Sequence, residues 1–215
     1  MPVDTPARLR PGGLARRAGL ALLVHAALVV AWPLLRPLYA PAYRALAEVA
    51  LDIAAPWPAP LAVRLEPGAS AELARDQILA DTTVRVEHRE LVGTGTFGAS
   101  TFFHGWLPTS VLLALFLAAT PRPWRARRGP LLVALLALHA FLLGRLAVAV
   151  LYTWAESTVE GRPGLALSPA GLRALRMAWH FAWGEMLTNY LAPLALWALC
   201  AFERGTRLAD HRIGH

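Results

Sequence analysis

Four long apolar runs constrain this chain more than any other feature of its sequence. Each approaches the roughly 20 residues that a helix needs to cross a bilayer, so we assign transmembrane helices to residues 18–36, 102–120, 130–154 and 184–202. Hydrophobic residues make up 56% of the chain and charged residues only 16%. An ordinary soluble domain is about one quarter charged, and this chain therefore has too few polar residues to cover a water-facing surface. We predict a membrane protein.

Arginine supplies all 21 basic residues, and its placement predicts the orientation of the chain. Basic clusters lie in the tail 1–17, in the turn 121–129 and in the tail 203–215. With four spans, all three fall on one side of the membrane, which is the positive-inside arrangement of a cytoplasmic face. We therefore expect an all-α membrane protein with four transmembrane helices, N-in/C-in. The lack of lysine beside abundant Ala, Leu, Pro and Gly favours a bacterial source, and the location expected is the bacterial inner membrane.

A cleaved signal peptide is the competing interpretation of the first apolar run, because basic residues precede a short apolar stretch. No A-x-A cleavage site follows at the right distance, however. Pro33 and Arg36 indicate that the helix ends at the membrane interface. We favour an uncleaved anchor.

Residues 37–101 form the outer α+β segment between the first two spans. Residues 42–55 carry apolar side chains on one face and predict an amphipathic helix that ends at the proline-rich sequence PWPAP. Residues 61–66 and 83–91 alternate apolar and polar side chains, which predicts two strands. The glycine-rich stretch 93–101 is expected to be a flexible approach to the second span.

A second outer segment, residues 155–183, is expected to contain an interfacial helix. Ser168 and Pro169 favour a helix start there, because serine caps the first turn and proline fits within it.

Ionisable side chains inside a span cost at least a few kcal/mol and normally face the protein interior. At 1.5 Å of rise per residue, Arg145 and Glu185 reach similar depths in the outer leaflet, and a pairing between them would remove much of this cost. Helical spacing places polar residues of the fourth span on one face. Two interpretations stay open: a structural ion pair between helices, or a polar binding pocket open to the outside. The candidate pocket consists of His104, Arg145, Tyr152, His180, Glu185, Thr188 and Asn189.

Catalytic motifs are missing from the sequence, which contains no HExxH, GxSxG or Walker loop. A lone cysteine, Cys200, excludes an intrachain disulfide and a Cys-based metal site, and with no base in reach by sequence we interpret it as an inert thiol. The arginines cluster at span ends rather than on one face, which argues against nucleic-acid binding. We predict no catalytic residue, no metal and no cofactor.

The sequence LPTSVLLALFLAATP from Leu107 to Pro121, followed by the arginine cluster and the apolar run from Pro130, resembles a known family. It is similar to the small accessory membrane proteins encoded beside exosortases, the bacterial membrane transpeptidases that process C-terminal sorting tails. The similarity covers residues 83–150. It implies a non-enzymatic accessory subunit with an exosortase-type enzyme as its partner. The enzyme family itself has a Cys nucleophile near the outer face, whereas Cys200 is expected at the cytoplasmic end.

The sequence therefore leaves three functions open. The first is a non-enzymatic inner-membrane accessory subunit in contact with membrane lipid and with a membrane-protein partner. The alternative is a small intramembrane enzyme or transporter that handles a lipid or peptide in the outer-leaflet pocket. A purely structural subunit of a larger complex is a third possibility.

Overall fold

The computed structural model describes residues 11–54, 61–68, 80–88, 93–120, 123–159, 162–165, 167–184 and 187–202. The helices are α1 Pro11–Val30, α2 Trp32–Ala54, α3 Phe102–Ala119, α4 Trp124–Glu156, α5 Pro169–Trp179 and α6 Thr188–Phe202. The strands are β1 Leu61–Pro67, β2 Thr82–His88, β3 Thr94–Ala99, β4 Thr158–Val159 and β5 Arg162–Pro163. The chain is thus mostly helical, with a small sheet.

Two of the described helices, α3 and α4, are long and apolar enough to cross a membrane. The pair Ala15–Val30 and Trp32–Ile53 passes the same criterion only if the two bent pieces count as one span. Helix α6 is apolar but shorter, with Thr188–Ala201 as its apolar part. These two or three helices indicate a membrane protein.

Helices α1 and α2 meet at a bend of 74°. The sequence predicts a span that continues to residue 36 and a separate helix from residue 42, but the chain instead bends at Ala31 and one helix runs from Trp32 to Ala54. Pro33 explains the position of the bend, because proline fits the first turn of the new helix, where its missing N–H is not needed.

Strands β1, β2 and β3 form one antiparallel sheet in that order. The predicted strand at residues 61–66 is present as β1, and the one at 83–91 is present as β2 up to His88, with 89–91 outside the described residues. The prediction of a flexible linker over 93–101 is wrong, because residues 94–99 form β3. Phe97 lies opposite Val84 and packs against the core, and Gly95 lies opposite Val86. A β-carbon on Gly95 would lie 3.1 Å from Thr153, so glycine permits the close approach of β3 to α4.

Most of the buried apolar residues in the described part of the chain form two groups. The first, which we call the sheet core, joins the sheet to α2 and to the last third of α4 through Leu51, Leu65, Val84, Val150 and Trp154, among others. The backbone N–H of Leu65 also donates to the carboxylate of Glu48 in α2 at 2.6 Å. The sheet is therefore stabilised by its packing on helices. The contacts between its few strands would give it only marginal stability in water.

The second group, which we call the bundle core, consists of side chains from α3 and α4: Leu112, Phe116, Ala134, Leu138 and Leu142. Polar contacts add to it at the helix interfaces. The indole N–H of Trp106 in α3 donates to the carbonyl of Leu28 in α1 at 3.1 Å. The indole of Trp197 in α6 donates to the hydroxyl of Thr120 at 3.0 Å.

Candidate functional site

Arg145 is the most informative polar residue within the described helices. It lies in α4 with only 4% of its surface exposed. Its Nε donates to the backbone carbonyl of Ala182, and its Nη1 donates to the side-chain oxygen of Asn189 at 2.7 Å. The Cζ atom lies 5.9 Å from the ring centre of Phe141, one helical turn away. The guanidinium is thus held by two hydrogen bonds and an aromatic face.

The carbonyl of Ala182 is available because of its place in the chain. Helix α5 continues as a π-helical turn, His180–Gly184, and the next helix begins at Thr188. The last four carbonyls of a helix have no partner within the helix, and the partial negative charge at that end attracts a cation. Arg145 therefore supplies a hydrogen-bond donor to the carbonyl of Ala182. This contact offsets part of the free-energy cost of burying the guanidinium charge.

Asn189 supplies the second acceptor from the first turn of α6, and it is 3% exposed. Arg145 thus joins three helices: its own α4, the end of α5 and the beginning of α6. Glu185, the possible partner of Arg145 in the sequence analysis, lies outside the described residues. Within the described part of the chain, the partners of the Arg145 side chain are neutral.

His104 and Tyr43 lie beside this centre. His104 sits in the π-helical turn Phe102–Trp106 that opens α3, and its Nδ1 is 3.1 Å from the carbonyl oxygen of Ser100. The hydroxyl of Tyr43 in α2 donates to the backbone carbonyl of His104 at 3.3 Å. The turn that carries His104 and the helix that carries Tyr43 both contact α4, the helix of Arg145. His104, Arg145 and Asn189 from the candidate pocket therefore lie in one region.

The remaining candidates lie elsewhere or serve other contacts. Tyr152 stacks on Trp179 of α5 with ring centres 4.7 Å apart. His180 is exposed, and Thr188 is half-buried at the start of α6. The structure thus separates a buried group around Arg145 from Tyr152, which lies where α4 meets α5, and from His180 and Thr188 on either side of the link to α6.

A surface ion pair lies where α4 meets α5. Arg176 of α5 donates to the carboxylate of Glu156 at the end of α4, at 3.0 Å. This hydrogen bond, together with one to Tyr152, raises the pKa of Arg176 above its ordinary value. Arg176 is therefore charged at every accessible pH, although an exposed pair of this kind stabilises a fold by little.

Sequence reasoning missed Asp81, which organises the start of α3. Its carboxylate accepts from the backbone N–H of Thr101 at 2.8 Å and from the Thr101 hydroxyl at 2.5 Å, and Arg36 lies 3.7 Å away. A carboxylate at a helix N-terminus satisfies an unpaired N–H and matches the positive end of the helix. Because the contact joins residues twenty positions apart, no local pattern in the sequence reveals it.

The histidines and the cysteine do not form a metal site in the described part of the chain, which has no cluster of three or more His, Cys, Asp or Glu that could hold an ion. His25 lies 3.1 Å from the hydroxyl of Ser110 in α3, and His139 lies 2.8 Å from the carbonyl of Leu135 in its own helix. Cys200 packs beside the bundle core.

Comparison of the chain with protein-family models, with curated proteins and with solved structures finds no match in any of the three.

Proposed function

We propose that this chain is a non-enzymatic accessory subunit of the bacterial inner membrane that binds a membrane protein, with an exosortase-type enzyme as the partner. One observation carries this proposal: the hydrogen bonds that Arg145 makes to Ala182 and Asn189 connect helices of the chain itself. A side chain used in this way supports a rigid scaffold, and intramembrane charges normally pair within the protein when they are not part of a transport or catalytic path.

The position of Cys200 also supports an accessory role over the enzyme. Cys200 is eleven residues beyond Asn189 in α6, which corresponds to roughly 16 Å along the helix. Asn189 contacts Arg145, and His104 lies beside Arg145. A thiol at that separation along the helix does not form a Cys–His–Arg site with these residues.

The proposed topology has four spans with both termini in the cytoplasm. Helix α6, with 15 residues, is about 22 Å long at 1.5 Å per residue, shorter than a hydrocarbon core of about 30 Å. In this topology, the π-helical turn His180–Gly184 would add to the depth that α6 covers. The contact between Trp197 and Thr120 supports a parallel course for α6 and α3, as four spans require.

Affinity purification of a tagged copy from native membranes in mild detergent tests the proposal. We expect an exosortase-type enzyme to be recovered in stoichiometric amount, identified by mass spectrometry. A tagged multi-pass protein of similar abundance, purified from the same membranes, is the control for carry-over. Recovery of the chain alone, at the level of that control, would contradict an accessory role.

A second function is favoured by the hydrogen bond between Tyr43 and the backbone of His104, in elements that both contact α4, the helix of Arg145. A small intramembrane enzyme or transporter would bind a lipid or peptide beside these groups in the outer leaflet. Native mass spectrometry of the purified chain separates the two functions. A defined bound molecule that is lost in the His104→Phe variant supports the second function, and a chain free of such a molecule supports the accessory role.

A further inference from the structure

The two edges of the three-stranded sheet differ in how their backbone groups are used. At the β1 edge, the N–H of Leu65 points away from β2 and donates to the carboxylate of Glu48. Pro67, two residues later on the same edge, has no N–H. A carboxylate contact and a proline both prevent another strand from pairing with an edge. The β1 edge is therefore blocked.

The β3 edge is arranged differently. The N–H of His88 donates to the carbonyl of the opposite residue, Gly93, and hydrogen-bonded pairs alternate along an antiparallel ladder. In the register of β2 and β3, the backbone N–H and C=O groups of Gly95 and Phe97 therefore point toward β2. Those of Thr94 and Thr96 point away from the sheet. Both residues are exposed, and no described residue bonds to their outward N–H and C=O groups.

The side chains on this edge do not discourage pairing. Thr94 and Thr96 are uncharged and β-branched, and such residues favour strands, whereas edges that avoid association carry charges or proline. The edge is also anchored next to a membrane helix, because Gly95 approaches Thr153 near the end of α4. An outer segment of another membrane protein would therefore meet it just above the bilayer.

We propose that the edge of β3 at Thr94 and Thr96 binds an extended segment of the partner protein by strand addition. The inference rests on the proposed accessory function and adds the way in which the partner is held. Alternating N–H and C=O groups at strand spacing are matched by the backbone of another extended chain. The segment that binds is therefore extended and free of proline. It is recognised mainly through its backbone hydrogen bonds and not through charged side chains.

A pair of variants at one position tests the role of the backbone. Thr96→Pro removes the outward N–H, and Thr96→Ala keeps it while it removes the hydroxyl and methyl groups. With a co-expressed, tagged exosortase-type enzyme as the probe, we expect Thr96→Pro to lower co-purification about tenfold, since the hydrogen bond from the outward N–H is lost and its acceptor is left unpaired. Thr96→Ala is expected to stay within about twofold of the unmodified chain.

Equal recovery with Thr96→Pro and the unmodified chain would overturn the strand-addition inference and leave the accessory function standing. If the unmodified chain recovers no enzyme, the accessory function fails and the inference fails with it. Thermal unfolding monitored by tryptophan fluorescence establishes whether Thr96→Pro is folded.

Photo-cross-linking tests strand addition at the β3 edge even if the proline variant does not fold. Thr96→p-benzoylphenylalanine places the reactive group on the open edge, and Arg64→p-benzoylphenylalanine places it on β1, two strand spacings or about 10 Å away. We expect the enzyme to cross-link from position 96 and not from position 64. Cross-links from both positions alike, from neither, or from position 96 to a second copy of this chain would overturn the inference.

Discussion

The bundle core and the sheet core are stabilised in different ways. In the bundle core, Leu112, Phe116 and Leu138 pack against one another as fully buried apolar side chains. The sheet core is also apolar, but directional contacts accompany it: the Arg145 guanidinium donates to the carbonyl of Ala182, and the Asp81 carboxylate accepts from the N–H of Thr101. Helices end and strands begin at the sheet side, and buried backbone groups at such transitions need partners. Arg145 and Asp81 each satisfy one of these backbone groups.

The largest effect is expected from breaking the Arg145 centre. Asn189→Leu leaves a buried guanidinium without one acceptor, and we expect a loss of about 3 kcal/mol in the free energy of unfolding, measured by denaturation in detergent. Because Arg145→Leu removes the charge as well, the double variant should be more stable than Asn189→Leu alone. Additive losses in this double-mutant cycle would show that the two residues do not interact.

A smaller loss is expected in the bundle core, because lipid tails compete with apolar contacts between helices and mainly packing is lost. Leu138→Ala removes a fully buried side chain. We expect the free energy of unfolding to fall by about 2 kcal/mol, at the lower end of the range for such substitutions. Leu136→Ala, on the same helix but with a side chain 64% exposed, is the control and should be nearly neutral. Equal losses of stability in the two variants would contradict the packing of α4 through the face that carries Leu138.

Gly164 tests the turn that follows α4. Its carbonyl accepts from the Trp154 indole at 2.9 Å, and a β-carbon there would collide with the Trp154 carbonyl oxygen. Because backbone must shift to make room, Gly164→Ala should cost about 1.5 kcal/mol. Gly144→Ala is the matched control, since nothing lies within 4 Å of its β-carbon position. Thermal unfolding of both variants provides the comparison, and an unchanged melting temperature for Gly164→Ala would contradict this geometry.

The smallest effect concerns the hydrogen bond between α3 and α1. Trp106→benzothienylalanine keeps a bicyclic ring of nearly the same size and removes the indole N–H that donates to the carbonyl of Leu28, and hydrogen bonds between membrane helices contribute about 0.6 kcal/mol on average. Trp124→benzothienylalanine, at an exposed position, controls for the change of ring chemistry. A loss as large as that of Asn189→Leu would mean that this hydrogen bond stabilises the fold as much as the Arg145 contacts do.

Local patterns predicted the apolar helices and two strands because each depends on residues close together in the chain. The start of α5 is a clear case: the side chain of Ser168 accepts from the N–H of Gly171 at 3.1 Å, as a serine cap should. Strand β3 escaped prediction because a sequence rich in glycine has little strand preference of its own. Its pairing with β2 and its packing on Thr153 are tertiary contacts.

The candidate site shows the same difference between what local sequence patterns predict and what tertiary contacts decide. From hydropathy and depth alone, the sequence determined that Arg145 lies inside an apolar helix and needs a polar partner, because burial of a charge is costly wherever the neighbours come from. Only the tertiary structure decided which partners these are. The carbonyl of Ala182 is a backbone group with no signature in the sequence, and Tyr43 reaches the centre because α1 and α2 bend at Ala31. Hydropathy is a property of each residue, whereas hydrogen-bond partners depend on how distant segments meet in space.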